Sequence, residues 1–248
     1  MSRIDEYRRA LRDLEDWRPY LLAKSGLPGP RGNLELAHAA ALEIDARQID
    51  AFLSIPIGQA PENTPEVFLV FCGVLALGRL IAAGERQEFK RLRPYASDPR
   101  WRIREAVAMA LQTVGDANTE LLLREATRWS SGNWYEKRAA AAGLAEPRLL
   151  TSRSTAAALL EMLDSVTASM ARAQDRKSEA FRTLRQGMGY CWSVAVAAHP
   201  ALGKRLMQKW LKKADPDVRW MMKENLKKNR LAKMDAAWVK SCVAALKA

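Results

Sequence analysis

Lysine and arginine side chains crowd the C-terminal third of the chain, where they could hold a polyanion. Residues 172–248 contain 18 Lys and Arg against 6 Asp and Glu, whereas residues 1–171 contain 22 of each kind. The whole formal charge of +12 therefore lies in the last third. An excess of this kind raises the local potential and attracts nucleic acid or an acidic protein. The competing interpretation is that these side chains only keep a helical surface soluble.

The spacing of these cations predicts a surface for a phosphate backbone. They form two groups, Lys209, Lys212 and Lys213 at the end of one predicted helix, and Arg219, Lys223, Lys227 and Arg230 along the next. Spacings of four, four and three place the second group on one helical face. Such a row would bind phosphates with an affinity that falls steeply with salt, and it would not read base edges.

Tryptophans are a second group of residues that could contact a ligand. Three of them lie on helices predicted to be second in their hairpins and could form an aromatic wall: Trp134, Trp192 and Trp220. Trp129 and Trp134 bracket the loop 130–133, which could present an aromatic ring to a ligand. Trp17, Trp210 and Trp238 have apolar neighbours in the sequence, so we expect them to lie in the core.

Few residues suit catalysis or metal binding. His38 and His199 are the only histidines, and the three cysteines are far apart without a Cys-x-x-Cys pair. We therefore expect no catalytic residue, no metal, no cofactor and no disulfide framework. There is no Gly-x-x-x-x-Gly-Lys phosphate loop, and Gly187 and Gly189 lie inside a helical pattern, where they would let two helices approach closely.

The ends of the chain and its apolar segments predict a cytoplasmic monomer. The first ten residues are charged and have no apolar stretch typical of a secretory signal. The longest apolar run, residues 67–83, is interrupted by Arg79 and falls short of the roughly 20 residues that a spanning helix needs. We expect it to be a buried helix, and we expect no membrane association.

Hydrophobic periodicity predicts an all-α fold. Apolar residues recur at spacings of three and four almost everywhere, and alternating β-branched runs are nearly absent. Thr64, Pro65 and Glu66 are a helix start signal, and Gly84 is a stop signal. The expected helical segments are residues 4–24, 33–44, 65–83, 85–95, 99–114, 118–129, 134–145, 154–171, 179–198, 200–213, 216–228 and 235–246, with a further helical turn or two at 49–53.

One motif recurs along the chain. Segment 215–226 begins Asp-Pro, continues with an apolar residue and Arg at 218–219, and ends in Leu226. Segment 98–111 repeats the order, with Ile-Arg at 103–104 and Leu111, after two extra residues. Related pairs start at positions 103, 137, 184 and 218, and the intervals of 34, 47 and 34 residues are typical of helical-hairpin repeats.

Hairpins with this motif resemble HEAT repeats over roughly residues 85–231. The resemblance implies a right-handed α-α solenoid in which an Asp/Arg ladder joins neighbouring repeats. The ladder positions would be Asp98, Asp215, Arg104, Arg138, Arg185 and Arg219. We expect one α-solenoid domain over residues 1–248, with capping helices at 1–63, HEAT-like repeats at 64–231 and a capping helix at 232–248.

A small basic chain rich in tryptophan also resembles the HEAT-like bacterial DNA alkylation-repair glycosylases. In that family tryptophans and one aspartate on a concave wall cradle the damaged nucleotide. Trp134, Trp192 and Trp220 could form such a wall here. No Asp lies beside them at helical spacing, and the nearest carboxylates are Glu136 and Glu224, so no catalytic residue is carried over.

The sequence thus predicts a HEAT-like scaffold that binds nucleic acid, duplex DNA in particular, through a basic C-terminal face. Two alternatives stay open: a DNA glycosylase for alkylated bases, and a scaffold for an acidic protein partner that docks on the near-neutral N-terminal two-thirds. The residues that break the repeat carry the functional interpretation. Trp220, Lys223 and Lys227 stand where the upstream copy has Glu, Ala and Gln.

Overall fold

The structure is a computed structural model that describes residues 2–246, and these residues form α-helices, short 3-10 turns and loops without a β-strand. The all-α prediction is confirmed. The chain groups into two compact units, unit 1 over Met1–Ala117 and unit 2 over Asn118–Ala248. The division into capping helices and repeats stays a prediction.

Unit 1 contains seven of the described helices. They are α1 (Arg3–Arg12), α2 (Arg18–Lys24), α3 (Leu34–Glu43), α4 (Ala46–Leu53), α5 (Pro65–Ala82), α6 (Phe89–Leu92) and α7 (Trp101–Ala117). Three 3-10 turns cover Ile57–Gln59, Arg86–Glu88 and Arg93–Ser97.

Helix α5 is the centre of unit 1. Residues 67–78 are all buried, and α2, α3, α4, α6 and α7 pack around the helix. A Cβ atom placed on Gly78 would lie 2.6 Å from the Cα of Ala110, so α5 and α7 approach closely there. Within residues 2–246, α5 alone has the length and hydropathy of a membrane span. Its burial in unit 1 confirms the prediction of a buried helix.

Proline explains where the predicted helices of unit 1 differ from the observed ones. The segment 4–24 is broken between α1 and α2, because Pro19 lacks the N–H that a helix interior needs and lies in the first turn of α2. Segment 85–95 is a succession of short turns in which Pro94 opens the last. Thr64 does precede α5, but its hydroxyl donates to the carbonyl of Pro61 at 3.0 Å instead of capping the helix.

Unit 2 contains the other seven described helices. They are α8 (Thr119–Ser130), α9 (Trp134–Leu144), α10 (Arg153–Ala171), α11 (Glu179–Ala198), α12 (Pro200–Leu211), α13 (Pro216–Leu226) and α14 (Asn229–Ala245). A 3-10 turn covers Pro147–Leu149. Helix α11 contacts α9, α10, α12, α13 and α14, so it is the centre of this unit.

Local signals placed the helices of unit 2 well. Ser178 caps α11 by accepting from the backbone N–H of Phe181, and Pro200 opens α12 directly after it. Helix α14 contains a break at Asp235 (φ −163°, ψ 93°), whose carboxylate accepts from the N–H of Trp238 at 2.9 Å. Asp235 therefore starts a helical segment, as the sequence predicted.

The expected Asp/Arg contacts are of two kinds. Between helices α11 and α13, Arg185 pairs with Asp217 at 2.9 Å, and Arg176 from the preceding loop pairs with Asp215 at 2.7 Å. Asp98 instead pairs with Arg100, two residues away, at 2.7 Å. Arg104 donates to the carbonyls of residues 98 and 99. Of these contacts, the Arg185–Asp217 pair joins two helices, α11 and α13.

Candidate nucleic-acid interface

A cationic recess lies at the junction of α13 and α14. Its volume is about 410 Å³, and its lining consists of Lys227, Lys228, Asn229, Arg230 and Lys233, with no carboxylate. The recess exists because the chain leaves the helical conformation at Lys228 (φ −77°, ψ 124°) and starts a new helix at Asn229. No side chain caps this helix start, and the four cationic side chains supply the positive charge of the recess.

Tyr190 on α11 holds two cations of the recess in place. Arg230 Nη2 donates to the Tyr190 hydroxyl at 2.6 Å, and the guanidinium carbon lies 4.6 Å from the ring centroid. Lys228 Nζ lies 5.8 Å from the same ring. Tyr190 is 42% exposed, and Arg230 Nη1 is buried without a hydrogen-bond partner in the described part of the chain.

Asn225 fixes α13, and with it the recess, to α11. The side chain is fully buried and accepts from the backbone N–H of Ser193 at 2.7 Å. Its amide nitrogen donates to the carbonyl of Met188 at 2.8 Å. Because a buried amide loses these bonds if the helices separate, Asn225 sets the position of α13 relative to Tyr190.

The other two lysines of the recess differ in whether they have an ion-pair partner. Lys227 pairs with Glu224 at 2.5 Å, and both side chains reach solvent. Lys233 is exposed and has no polar partner within residues 2–246. An exposed pair such as Lys227–Glu224 contributes little, so an anion can compete for the lysine.

An apolar recess adjoins the cationic one. It has a volume of about 430 Å³ and is lined by Pro147, Leu150, Val194, Ala197, Ala198 and Arg230. Arg230 therefore belongs to both recesses. Tyr190, Val194 and Ala197 share one face of α11 by their helical spacing.

The predicted cations do not form one row. Helix α13 ends at Leu226, so Arg230 belongs to the next helix, and the expectation of a continuous face from 219 to 230 is wrong. Arg219 Nη2 donates to the carbonyl of Leu246 at 2.5 Å. Lys223 is exposed without a polar partner in the described residues.

The first predicted group is also divided. Lys209 pairs with Asp164 at 2.8 Å and lies 4.7 Å from the ring of Trp210. Lys212 and Lys213 are exposed just beyond the end of α12, and no polar partner for them occurs in residues 2–246. These two lysines are therefore available to an anion, whereas Lys209 is partly neutralised.

The tryptophans do not form an exposed wall. Trp192 is fully buried and donates to Thr167 Oγ1 at 3.1 Å, so its assignment as a ligand contact is wrong. Trp129 is also buried, at 1% exposure. Trp220 is partly buried, with the guanidinium of Arg185 3.9 Å from its ring centroid and Gly189 close to its edge. This close approach confirms the role expected of Gly189.

Trp134 is partly buried and has a partner that the sequence did not indicate. Its indole N–H donates to the carboxylate of Asp175, at 2.9 and 3.1 Å, and its ring meets that of Phe181 edge-on. Asp175 also accepts from Ser178 Oγ at 3.2 Å. The pair is separated by 41 residues, so helical spacing could not reveal it. The core assignments of Trp17 and Trp210 are confirmed, and Trp238 is partly buried.

The sequence pattern did not indicate Lys228, Asn229 and Lys233 of the recess, or Tyr190, which contacts it. The two lysines flank the predicted row but lie off its spacing, which assumed one continuous helix. No three His, Cys, Asp or Glu side chains among the described residues form a group that could hold a metal ion.

No family model, curated protein or solved structure matches this chain significantly. Function must therefore be inferred from the geometry of the two units.

Proposed function

We propose that unit 2 binds nucleic acid, duplex DNA in particular, through the cationic recess at the α13–α14 junction. The observation that carries the proposal is a lining of four cations and one amide without a carboxylate. Phosphate oxygens are the ligands that such a set of donors binds best. In this proposal the helical hairpins of unit 2 serve as a HEAT-like, right-handed solenoid scaffold.

The charge of unit 2 supports a polyanion over a single small anion. Unit 2 contains 24 Lys and Arg and 12 Asp and Glu, so it carries the entire net charge of +12. Lys212, Lys213 and Lys223 add exposed cations outside the recess. A backbone with regularly spaced phosphates could engage several of these at once, which a single phosphate could not.

The mode of binding follows from the donors present. The lysine ammonium groups and the guanidinium of Arg230, which line the recess, suit phosphate oxygens. None of the contacts described reads a base edge, so binding should tolerate any sequence. The exposed ring of Tyr190 and the adjoining apolar recess offer a surface for a sugar or for an unstacked base.

The alternatives have less support from the site. A glycosylase of the resembled type needs exposed tryptophans beside an aspartate, whereas Trp192 is buried and Asp175 is engaged by Trp134 and Ser178. An acidic protein partner that docks on the near-neutral N-terminal two-thirds is distinguished by experiment.

Fluorescence anisotropy with a labelled duplex and a single strand of the same sequence tests the proposal. We expect binding to the duplex whose affinity falls about tenfold or more between 50 and 200 mM salt, as it does when several phosphates are contacted. The double variant Lys228→Glu with Lys233→Glu should weaken binding by about 10- to 100-fold and reduce the salt slope by about two.

The matched control reverses two exposed cations of unit 2 outside the recess, Arg124→Glu with Arg153→Glu, and should change affinity far less. Equal losses in both double variants would contradict the assignment to the recess. No binding of either nucleic acid at 50 mM salt would reject the proposal and favour an acidic protein partner. Release of alkylated bases from a duplex would instead favour the glycosylase.

A further inference from the structure

A separate cavity lies within unit 1, between α3, α5, α7 and the loop that joins α2 to α3. Its volume is about 140 Å³, and its apolar wall consists of Leu27, Leu34, Val67, Phe68, Phe71 and Met109. We propose that this cavity binds a small organic oxyanion whose apolar part is one aromatic ring or a branched hydrocarbon of similar size. The proposal is independent of nucleic-acid binding by unit 2.

The loop that closes the cavity is held by a buried arginine. Arg102 is 7% exposed, and its Nη2 donates to the carbonyl of Gly29 at 2.7 Å and to Asn63 Oδ1 at 3.0 Å. Asn63 Oδ1 also accepts from the N–H of Gly29 at 3.1 Å. Arg102 forms an ion pair with Glu62 at 2.9 Å. These contacts fix the wall in one position, as a preformed ligand site requires.

A second set of bonds closes the same loop at its base. Ser25 accepts at its backbone oxygen from the N–H of Asn33 at 2.8 Å, and its hydroxyl accepts from the N–H of Leu27 at 3.1 Å. Leu27 therefore projects from an ordered turn, which is why an apolar residue in a loop can serve as part of a cavity wall.

The size and the wall of the cavity select the apolar part of the ligand. An apolar cavity of about 150 Å³ holds one benzene molecule, so about 140 Å³ suits one ring. Aliphatic and phenyl side chains offer no partner to the polar edges of a nucleobase, and burying those edges unpaired is costly. Trp101, which lines the cavity and is 49% exposed, could cover one side of a bound ring.

The charges around the cavity select the polar part. Arg102 is neutralised by Glu62, and Glu105 already has a partner of its own. Arg31 is exposed, lines the cavity and has no polar partner within residues 2–246. Arg31 is therefore the cation of the lining that can meet a charged ligand, and a guanidinium binds carboxylate or phosphate oxygens with two parallel hydrogen bonds.

Three phenyl compounds that differ in charge test the proposal on the full chain: phenylacetate, benzyl alcohol and phenethylammonium. Titrations followed by saturation-transfer NMR should give saturable phenylacetate binding with a Kd on the order of 0.1–1 mM, as the ligand efficiency of so small a molecule allows. Benzyl alcohol should bind about 5- to 10-fold more weakly, and phenethylammonium more weakly still.

Two variants separate the ring site from the charge site. Arg31→Gln should weaken phenylacetate by about 5- to 10-fold and leave benzyl alcohol unchanged, whereas the charge-matched control Arg47→Gln should change neither. Met109→Trp should fill the cavity and abolish both. Because Arg31 is on the surface, its variant keeps the test valid even if Met109→Trp fails to fold, which circular dichroism would show.

The proposal is overturned if phenylacetate shows no saturable binding up to about 10 mM, tenfold above the weakest expected Kd. It is also overturned if folded Met109→Trp still binds phenylacetate, or if the three compounds bind equally and Arg31→Gln changes nothing. Selective loss of phenylacetate affinity in Arg31→Gln supports it.

Discussion

The two units use their cations in opposite ways. Unit 1 has 16 Lys and Arg and 16 Asp and Glu, whereas unit 2 has 24 and 12. Of the cations in unit 1, 14 are Arg and 2 are Lys, but unit 2 has 12 of each. A guanidinium can be buried because its planar fork satisfies several acceptors, while an ammonium is strongly hydrated and stays at the surface. Arginine therefore predominates in unit 1, where cations can be buried in the core, and lysine is more frequent in unit 2, where most cations lie at the surface.

Two neighbouring arginines show how cations are buried and paired in unit 1. Arg100 and Arg102 are 5% and 7% exposed, and both are paired with carboxylates and bonded to backbone carbonyls. Of the three lysines that line the recess of unit 2, Lys227 pairs with Glu224, whereas Lys228 and Lys233 have no carboxylate partner in residues 2–246. The difference teaches that the number of cations does not define a binding surface. What defines it is whether the fold supplies their counter-charges.

The two units also differ at the glycines where helices pack closely. Substitution of these glycines should give the largest difference in stability between the units. Gly78→Ala should destabilise unit 1 by about 3 kcal/mol, because the new Cβ would lie 2.6 Å from the Ala110 backbone, which cannot move without shifting α7. In unit 2, Gly187→Ala meets only the flexible side chain of Arg138 at 3.2 Å and should stay within about 1 kcal/mol, since alanine favours the helix. Peptide-resolved hydrogen exchange in urea measures each unit, and equal losses would refute the contrast.

The next effect tests whether arginine is required in unit 1. Arg102→Lys should destabilise unit 1 by about 2 kcal/mol, because lysine cannot donate to Gly29, Asn63 and Glu62 together. The reverse change in unit 2, Lys228→Arg, should alter nucleic-acid affinity less than about twofold, since phosphate contact needs only the charge. Denaturation and anisotropy measure the two variants. A stable Arg102→Lys protein would remove the distinction.

Acid should weaken one contact of unit 1 selectively. Hydrogen bonds from Arg12 and Arg8 lower the pKa of Glu43 to about 2 from an ordinary value of 4.5. The stabilisation is therefore fully present above about pH 4.5 and is lost as the pH falls towards 2. Glu43→Gln should cost about 1 kcal/mol at pH 7, and the cost should shrink steadily as the pH falls from about 4.5 towards 2. Urea denaturation across this range checks the prediction, which a pH-independent cost would contradict.

The smallest effect separates the recess from other exposed lysines of unit 2. Lys212→Glu with Lys213→Glu should weaken duplex binding by about threefold, since these side chains provide charge without a built recess. Lys228→Glu with Lys233→Glu changes the same formal charge and should weaken binding by about 10- to 100-fold. Anisotropy at matched salt compares the two. If Lys212→Glu with Lys213→Glu caused the larger loss of duplex affinity, the binding surface would lie at the end of α12 instead of at the recess.

Sequence reasoning succeeded where the information is local. Helix α11 was predicted at residues 179–198 and is observed there, where Ser178 caps it and Pro200 opens the next helix. Hydrophobic periodicity predicted continuous helices through Pro19 and Pro94. Both helices are broken there, because proline lacks the N–H that a helix interior needs. The prediction also failed at Lys228, where the break between α13 and α14 turned Arg230 towards Tyr190.

The candidate sites could be predicted only in part. The excess of charge in the last third pointed to the part of the chain that contains the cationic recess, but the contact of Arg230 with Tyr190 joins residues 40 apart. The cavity of unit 1 was not foreseen, because Arg102 reaches Gly29 across 73 residues of chain. Periodicity within a helix contains no information about such pairs.

The sequence by itself determined the all-α class, most helix limits and the one-sided charge, because capping, helix breaking and charge counts depend on neighbouring residues. Only the tertiary structure decided which cations stay without a counter-charge, which tryptophans are buried and where a cavity remains. Those properties depend on pairs of side chains that packing brings together from distant parts of the chain, and the free energy of each pair depends on its burial.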